Sequence, residues 1–144
     1  MTLSTKLKIA FACNLSCVLL LILGGMVYLF SPQIMPYHQE AVGMEWDEID
    51  SRMQIMLLSL LKGAGLAAIV SGVAMGILLL VPFQHGDAWS RWAIPAVGFM
   101  LLLPAVCIAA KLAIVTGALI PWTLLFIPIA LLIFGFFLSA DLKR

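Results

Sequence analysis

Two lysines, Lys62 and Lys111, interrupt stretches that are otherwise apolar. A charge placed within a bilayer is costly, and such a residue marks a functional position by default. Lys62 lies nine residues after Met53, the outer end of one helix, and Lys111 nine residues before Ile120, the outer end of another, so at 1.5 Å per residue both sit about 14 Å deep when counted from that side. Counted from the far ends, each comes close to the same membrane boundary. Two readings follow. Each ammonium snorkels separately to the headgroups, or both face a shared polar vestibule that receives an anionic group. No carboxylate lies within the apolar segments, so counter-charges must come from elsewhere.

The nearest supply is the connection 31–52, which carries Glu40, Glu45, Asp47, Glu48 and Asp50 against Arg52 alone. Within it Tyr37, His38, Glu45, Trp46 and Glu48 are the candidate lid or counter-charges, and with Lys62 and Lys111 they form the candidate ligand-binding set. His38 is the titratable group suited to pairing with Glu40 or Glu45 or to sensing pH. Met35, His38 and Met44 have the thioether and imidazole donors that suit copper, but three residues spread over a ten-residue loop are a weak signal, and no metal or cofactor is expected. Cys13, Cys17 and Cys107 form no C-x-x-C and read as small packing residues. Asn14 is a polar group in the first apolar segment, suited to bonding a neighbouring helix. There is no H-E-x-x-H, phosphate loop or G-x-S-x-G, and no catalytic residue is assigned.

These residues must be positioned by helices. Of the 144 residues 64% are hydrophobic and 10% charged, against about 25% charged in an average soluble domain. With a mean hydropathy of +1.16, the chain has too much apolar surface to hide in a water-soluble fold of this length. A net charge of +1 with no basic stripe argues against nucleic-acid binding. Four apolar segments, 9–30, 53–81, 93–117 and 121–140, each reach the roughly 20 residues that cross a hydrocarbon core. Backbone groups in lipid must be satisfied within the segment, and the segments do not alternate in polarity, so helices follow rather than strands. The expected fold is all-α: one transmembrane domain, 1–144, built as a four-helix bundle.

Lys6, Lys8, Arg91, Lys143 and Arg144 lie on one side of such a bundle and Arg52 on the other, which places both termini in the cytoplasm and the connection 31–52 outside. The first segment is too long for a signal-peptide core, and no A-x-A-like site follows it, so it reads as a mature helix. Within the connection, Pro36 suits the first turn of a short helix that Gly43 ends. Asp47, Glu48 and Asp50 favour the start of the next long helix, with Ser51–Gln54 a competing capping box. Along that helix Ala64, Ala68, Gly72 and Gly76 recur every four residues, a smooth stripe for close packing inside the bundle or for a homo-oligomer face. Pro104 and Pro128 predict kinks in the third and fourth helices.

The run Met35-Pro36-Tyr37-His38, then Ala41, Gly43, Trp46, Glu48 and Gln54, together with Arg91-Trp92-Ala93 and Pro121-Trp122, resembles a family of small, uncharacterised bacterial inner-membrane proteins with four helices. The resemblance implies a bacterial inner-membrane location and a four-helix bundle, and it carries no catalytic residue. The leading expectation is a non-enzymatic binding or accessory protein with a polar outer-leaflet site for an anionic or lipid-like ligand, its partners being membrane lipids or a larger membrane complex. A small oligomeric transporter or channel is the second reading, poorly served by a cytoplasmic half that offers only Asn14, Ser16 and Ser71 as polar groups. A membrane enzyme using a lysine, or His38 with Glu45, for acid–base chemistry is the third.

Overall fold

A computed structural model describes residues 4–140 and 142. The first helix, α1 (Thr5–Phe30), begins four residues earlier than hydropathy alone suggests. The hydroxyl of Ser4 accepts from the amide of Leu7 at 3.4 Å, a side-chain cap that draws Lys6 and Lys8 into the helix. Ser31 then turns extended, as a residue before proline prefers. A short helix α2 (Pro36–Val42) follows, with Pro36 in its first turn and Gly43 at φ 76° closing it, as its flanking residues predict. A 3-10 turn, Trp46–Glu48, leads to α3 (Ser51–Leu78). Asp50 caps α3 by accepting from Arg52 and Met53 at 3.1 and 3.3 Å, so the Ser51–Gln54 box does not form.

At the far end of α3 the chain widens into a π-helical turn, Leu79–Phe83, which carries Pro82. Extra residues per turn accommodate a proline that donates no hydrogen bond. Helix α4 (Ser90–Thr116) runs through Pro95 and Pro104 and ends on Gly117 at φ 73°. A 3-10 turn, Trp122–Leu125, continues into α5 (Phe126–Leu138). All regular structure among the described residues is helical.

Among the described residues, three helical stretches are long and apolar enough to cross a membrane: Thr5–Phe30, Ser51–Phe83 and Ser90–Thr116. The fourth, Trp122–Leu138, has 17 residues, about 25 Å at 1.5 Å per residue, and falls short of a full core thickness. Large apolar side chains cover the outside of the bundle, among them Met100 and Ile114 at 80% exposure each. Such a surface is unstable in water and matched to lipid, so the chain is a membrane-embedded helical protein.

The helices contact one another in a ring, α1 to α3 to α4 to α5 and back to α1. The main core lies at the end where α1 begins and joins Ala10, Cys17, Met75, Leu79, Phe83, Ile94, Leu102 and Leu132. Cys17 is therefore a core residue, as its segment predicts. Asn14 is 3% exposed and lies against Gly135 of α5, with its Oδ1 unpartnered.

The closest helix pair is α1 with α3. A Cβ added at Gly25 would fall 2.5 Å from the carbonyl oxygen of Gly65, and one at Gly65 2.6 Å from that of Gly25. Gly72 packs on Val18 and Ile22 further along, which makes the pair antiparallel. This corrects the small-residue stripe. Gly72 is buried and Gly76 and Ala68 are half-buried, but Ala64 is exposed and Gly65 takes its place. A four-residue step advances about 40° around a helix of 3.6 residues per turn. Three such steps leave the packing face, whereas Leu61, Gly65, Gly72 and Leu79 stay on it.

Candidate functional site

The connection between α1 and α3 folds into a cap with its own small core. Ile34, Ile49 and Leu61 are buried, and Tyr28, Leu57 and Trp46 pack around them. Two glutamines hold the cap's backbone. Gln39 donates to the carbonyl of Ile34 at 3.2 Å and accepts from the amide of Trp46 at 3.2 Å. Gln54, reaching back from α3, donates to the carbonyl of Trp46 at 2.7 Å. Trp46 is thereby fixed on both sides of its peptide unit. Neither glutamine belongs to the candidate set read from sequence; Gln54 stands in the capping-box alternative and in the pattern that carries the family resemblance.

Glu45 and Glu48 form a capping box across the 3-10 turn, with the amide of Glu45 donating to the Glu48 carboxylate at 3.3 Å. Both carboxylates thus close their own turn, which is where the structure places two of the expected counter-charges. Glu40 does a different job. Its Oε2 accepts from the amide of Leu119 at 3.1 Å, tying the cap to the connection between α4 and α5.

Tyr37 and His38 meet a residue that sequence reasoning did not select, Tyr28 in the last turns of α1. The hydroxyls of Tyr28 and Tyr37 share a hydrogen bond. The His38 ring centroid lies 4.4 Å from that of Tyr37 and 6.1 Å from that of Tyr28. Half-buried as it is, the Tyr37 phenol is pushed up from its ordinary value by loss of solvent and then by the Tyr28 hydroxyl, and burial lowers His38. At neutral pH Tyr37 and His38 are uncharged and offer hydrogen-bonding groups beside aromatic faces. His38 lies against two tyrosines, while Glu45 closes its own turn. Among the described residues, no three of His, Cys, Asp and Glu converge to hold a metal.

The lowered His38 has a testable sign. Burial disfavours the imidazolium in the folded chain, so the unfolded chain binds the proton more tightly. Stability is full above the unfolded value of about 6.5 and declines as pH falls through it toward the lower folded value. The melting temperature of wild type should therefore drop more between pH 7.5 and pH 5 than that of His38→Gln. Equal drops would show that His38 titrates as if exposed.

Lys62 and Lys111 are both exposed. Lys62 lies two turns before Ile69, which touches α1 at Gly25, while α3 meets α4 through Met75 beside Gly98 on its other edge. Lys62 therefore stands on the α1 edge of α3. On α4 the buried face runs through Ile94, Pro95, Gly98 and Leu102. Lys111 follows Leu102 by nine residues, half a turn out of phase, on the exposed face with Met100, Leu103, Cys107, Ile108 and Ile114. The two ammonium groups leave the bundle on separate outward faces, the arrangement of the snorkelling alternative. The expected set thus divides into the residues Tyr37 and His38, which meet Tyr28, the residues Glu45, Trp46 and Glu48 of the 3-10 turn, and two lysines on helix faces outside the cap. No protein-family model matches the chain, and comparisons with curated proteins and with solved structures return no match.

Proposed function

We propose that the chain is a non-enzymatic membrane binding or accessory protein that crosses a bacterial inner membrane four times, with both termini in the cytoplasm. Its outer-leaflet end engages an anionic, lipid-like ligand or a membrane partner. The fourth crossing is the short Trp122–Leu138 stretch, with interfacial Trp122 at its outer end. The orientation rests on the asymmetry of basic residues, and the family resemblance supports the location.

One observation carries this reading: Lys62 and Lys111 project from helix surfaces that are otherwise apolar. A cation at that depth attracts an anionic partner in place of the water it lacks. The cap above spends Glu45 and Glu48 on its own turn and adds the hydroxyls and ring faces of Tyr28, Tyr37 and His38. The test compares wild type with Lys62→Met/Lys111→Met in zwitterionic and anionic lipid. Wild type should gain several degrees more thermal stability from anionic lipid than the double variant does. Matching melting temperatures in every lipid would overturn the reading.

A further inference from the structure

At the opposite end of the bundle, Arg91 lies at the junction of α4 with the last turn of α5. Its Nε donates to the carbonyl of Phe136 at 3.1 Å. The guanidinium carbon sits 4.3 Å from the Phe136 ring centroid and 5.6 Å from that of Trp92. The two rings meet edge to face at 4.7 Å. The same carbonyl accepts from the Ser139 hydroxyl at 2.9 Å, so Arg91 is its second donor and is held against the last turn of α5. Only one of the five guanidinium donors is used in this bond.

Beside this clamp runs a groove of about 410 Å³ between α4 and α5, walled by Trp92, Pro95, Phe99, Ile133 and Phe137 with Ala96 at its floor. The exposed faces of Trp92, Ile133 and Phe137 open it sideways, toward the hydrocarbon. A fixed guanidinium at one end of an apolar channel is complementary to a molecule with an anionic oxygen cluster at one end of a hydrocarbon chain. Guanidinium binds phosphate oxygens through paired donors, and basic sites between transmembrane helices hold acidic headgroups.

We infer that Arg91 and the groove between α4 and α5 form a binding site for one anionic phospholipid, with the phosphate on Arg91 and an acyl chain against Ala96 and Phe99. This site is separate from Lys62 and Lys111 and does not rest on the reading of the outer end.

Trp92 reports on the site. In a chain keeping it as the sole tryptophan (Trp46→Phe, Trp89→Phe, Trp122→Phe), quenching by brominated phosphatidylglycerol and by brominated phosphatidylcholine measures the lipid preference at that position. The anionic lipid should be preferred about fivefold. Arg91→Gln should bring the ratio to one, and Arg91→Lys should keep most of it. Ala96→Phe fills the groove with Arg91 intact and should weaken quenching by both lipids, a second arm should Arg91→Gln fail to fold. Lys62→Met/Lys111→Met should leave the ratio at Trp92 unchanged. A ratio of one in the wild-type site, a ratio unaltered by Arg91→Gln, or loss of the preference on adding millimolar inorganic phosphate would overturn the proposal; the last result would describe a simple anion site.

Discussion

Gly25→Ala or Gly65→Ala should destabilise the bundle by about 1–3 kcal/mol, the usual range for overpacking a tight contact. The added methyl would meet a backbone carbonyl of the facing helix at 2.5 or 2.6 Å. A backbone oxygen cannot rotate away as a side-chain tip can, so α1 and α3 must separate. Separation propagates to Gly72 against Val18 and Ile22 and to the cap, which hangs between the two helices. The double variant should cost less than the sum of the singles, because both methyls disturb one contact. Gly24→Ala and Gly63→Ala provide the control. Neither Cβ would meet anything within 4 Å, and alanine is the better helix former by up to about 1 kcal/mol. Those two variants should be neutral or slightly stabilising in a thermal melt in detergent. A melt in which all four variants behave alike would contradict the α1–α3 packing.

Ile34→Ala should be the most damaging single change in the cap. Ile34 is 3% exposed, in a cluster of only three buried residues. Removing a buried isoleucine side chain to its Cβ costs about 2–5 kcal/mol. The cap has little else with which to offset the loss, since its remaining ties are the Gln39, Gln54 and Glu40 hydrogen bonds and the contact of Tyr37 and His38 with Tyr28. The loss should therefore be local: faster amide exchange and new proteolytic cleavage across 31–50, with the protection of α4 and α5 unchanged. Uniform loss of protection through all helices would show that the cap and the bundle unfold as one unit.

The two predictions also mark what local sequence could and could not specify. Helix α2 was legible because Pro36 and Gly43 impose backbone geometry by themselves, whatever surrounds them. The helical character of the apolar segments was legible for a similar reason, since a backbone in lipid has few ways to satisfy its own polar groups. The packing face of α3 was not, because a stripe counted in fours drifts around a helix, and only the partner decides that Gly65 rather than Ala64 lies inside. Starts of helices were set by single caps, Ser4 and Asp50, that hydropathy does not register. In the candidate site, Tyr37 and His38 could be selected by type and place, but their contact with Tyr28 depends on how the cap folds back across α1. Glu45 and Glu48 invite pairing with the lysines as charges, yet a short turn three residues long claims them first. The separation of Lys62 from Lys111 depends on which edge of α3 faces α1, a relation between helices that spacing within either one does not encode.

The proposal that the outer end binds an anionic group through Lys62 and Lys111 is tested most directly by mass spectrometry of the intact protein released gently from its native membrane. The wild-type chain should carry more bound anionic lipid or lipid-like molecules than Lys62→Met/Lys111→Met, which keeps the one held at Arg91. Identical bound species at identical stoichiometry in wild type and the double lysine variant would contradict the proposal.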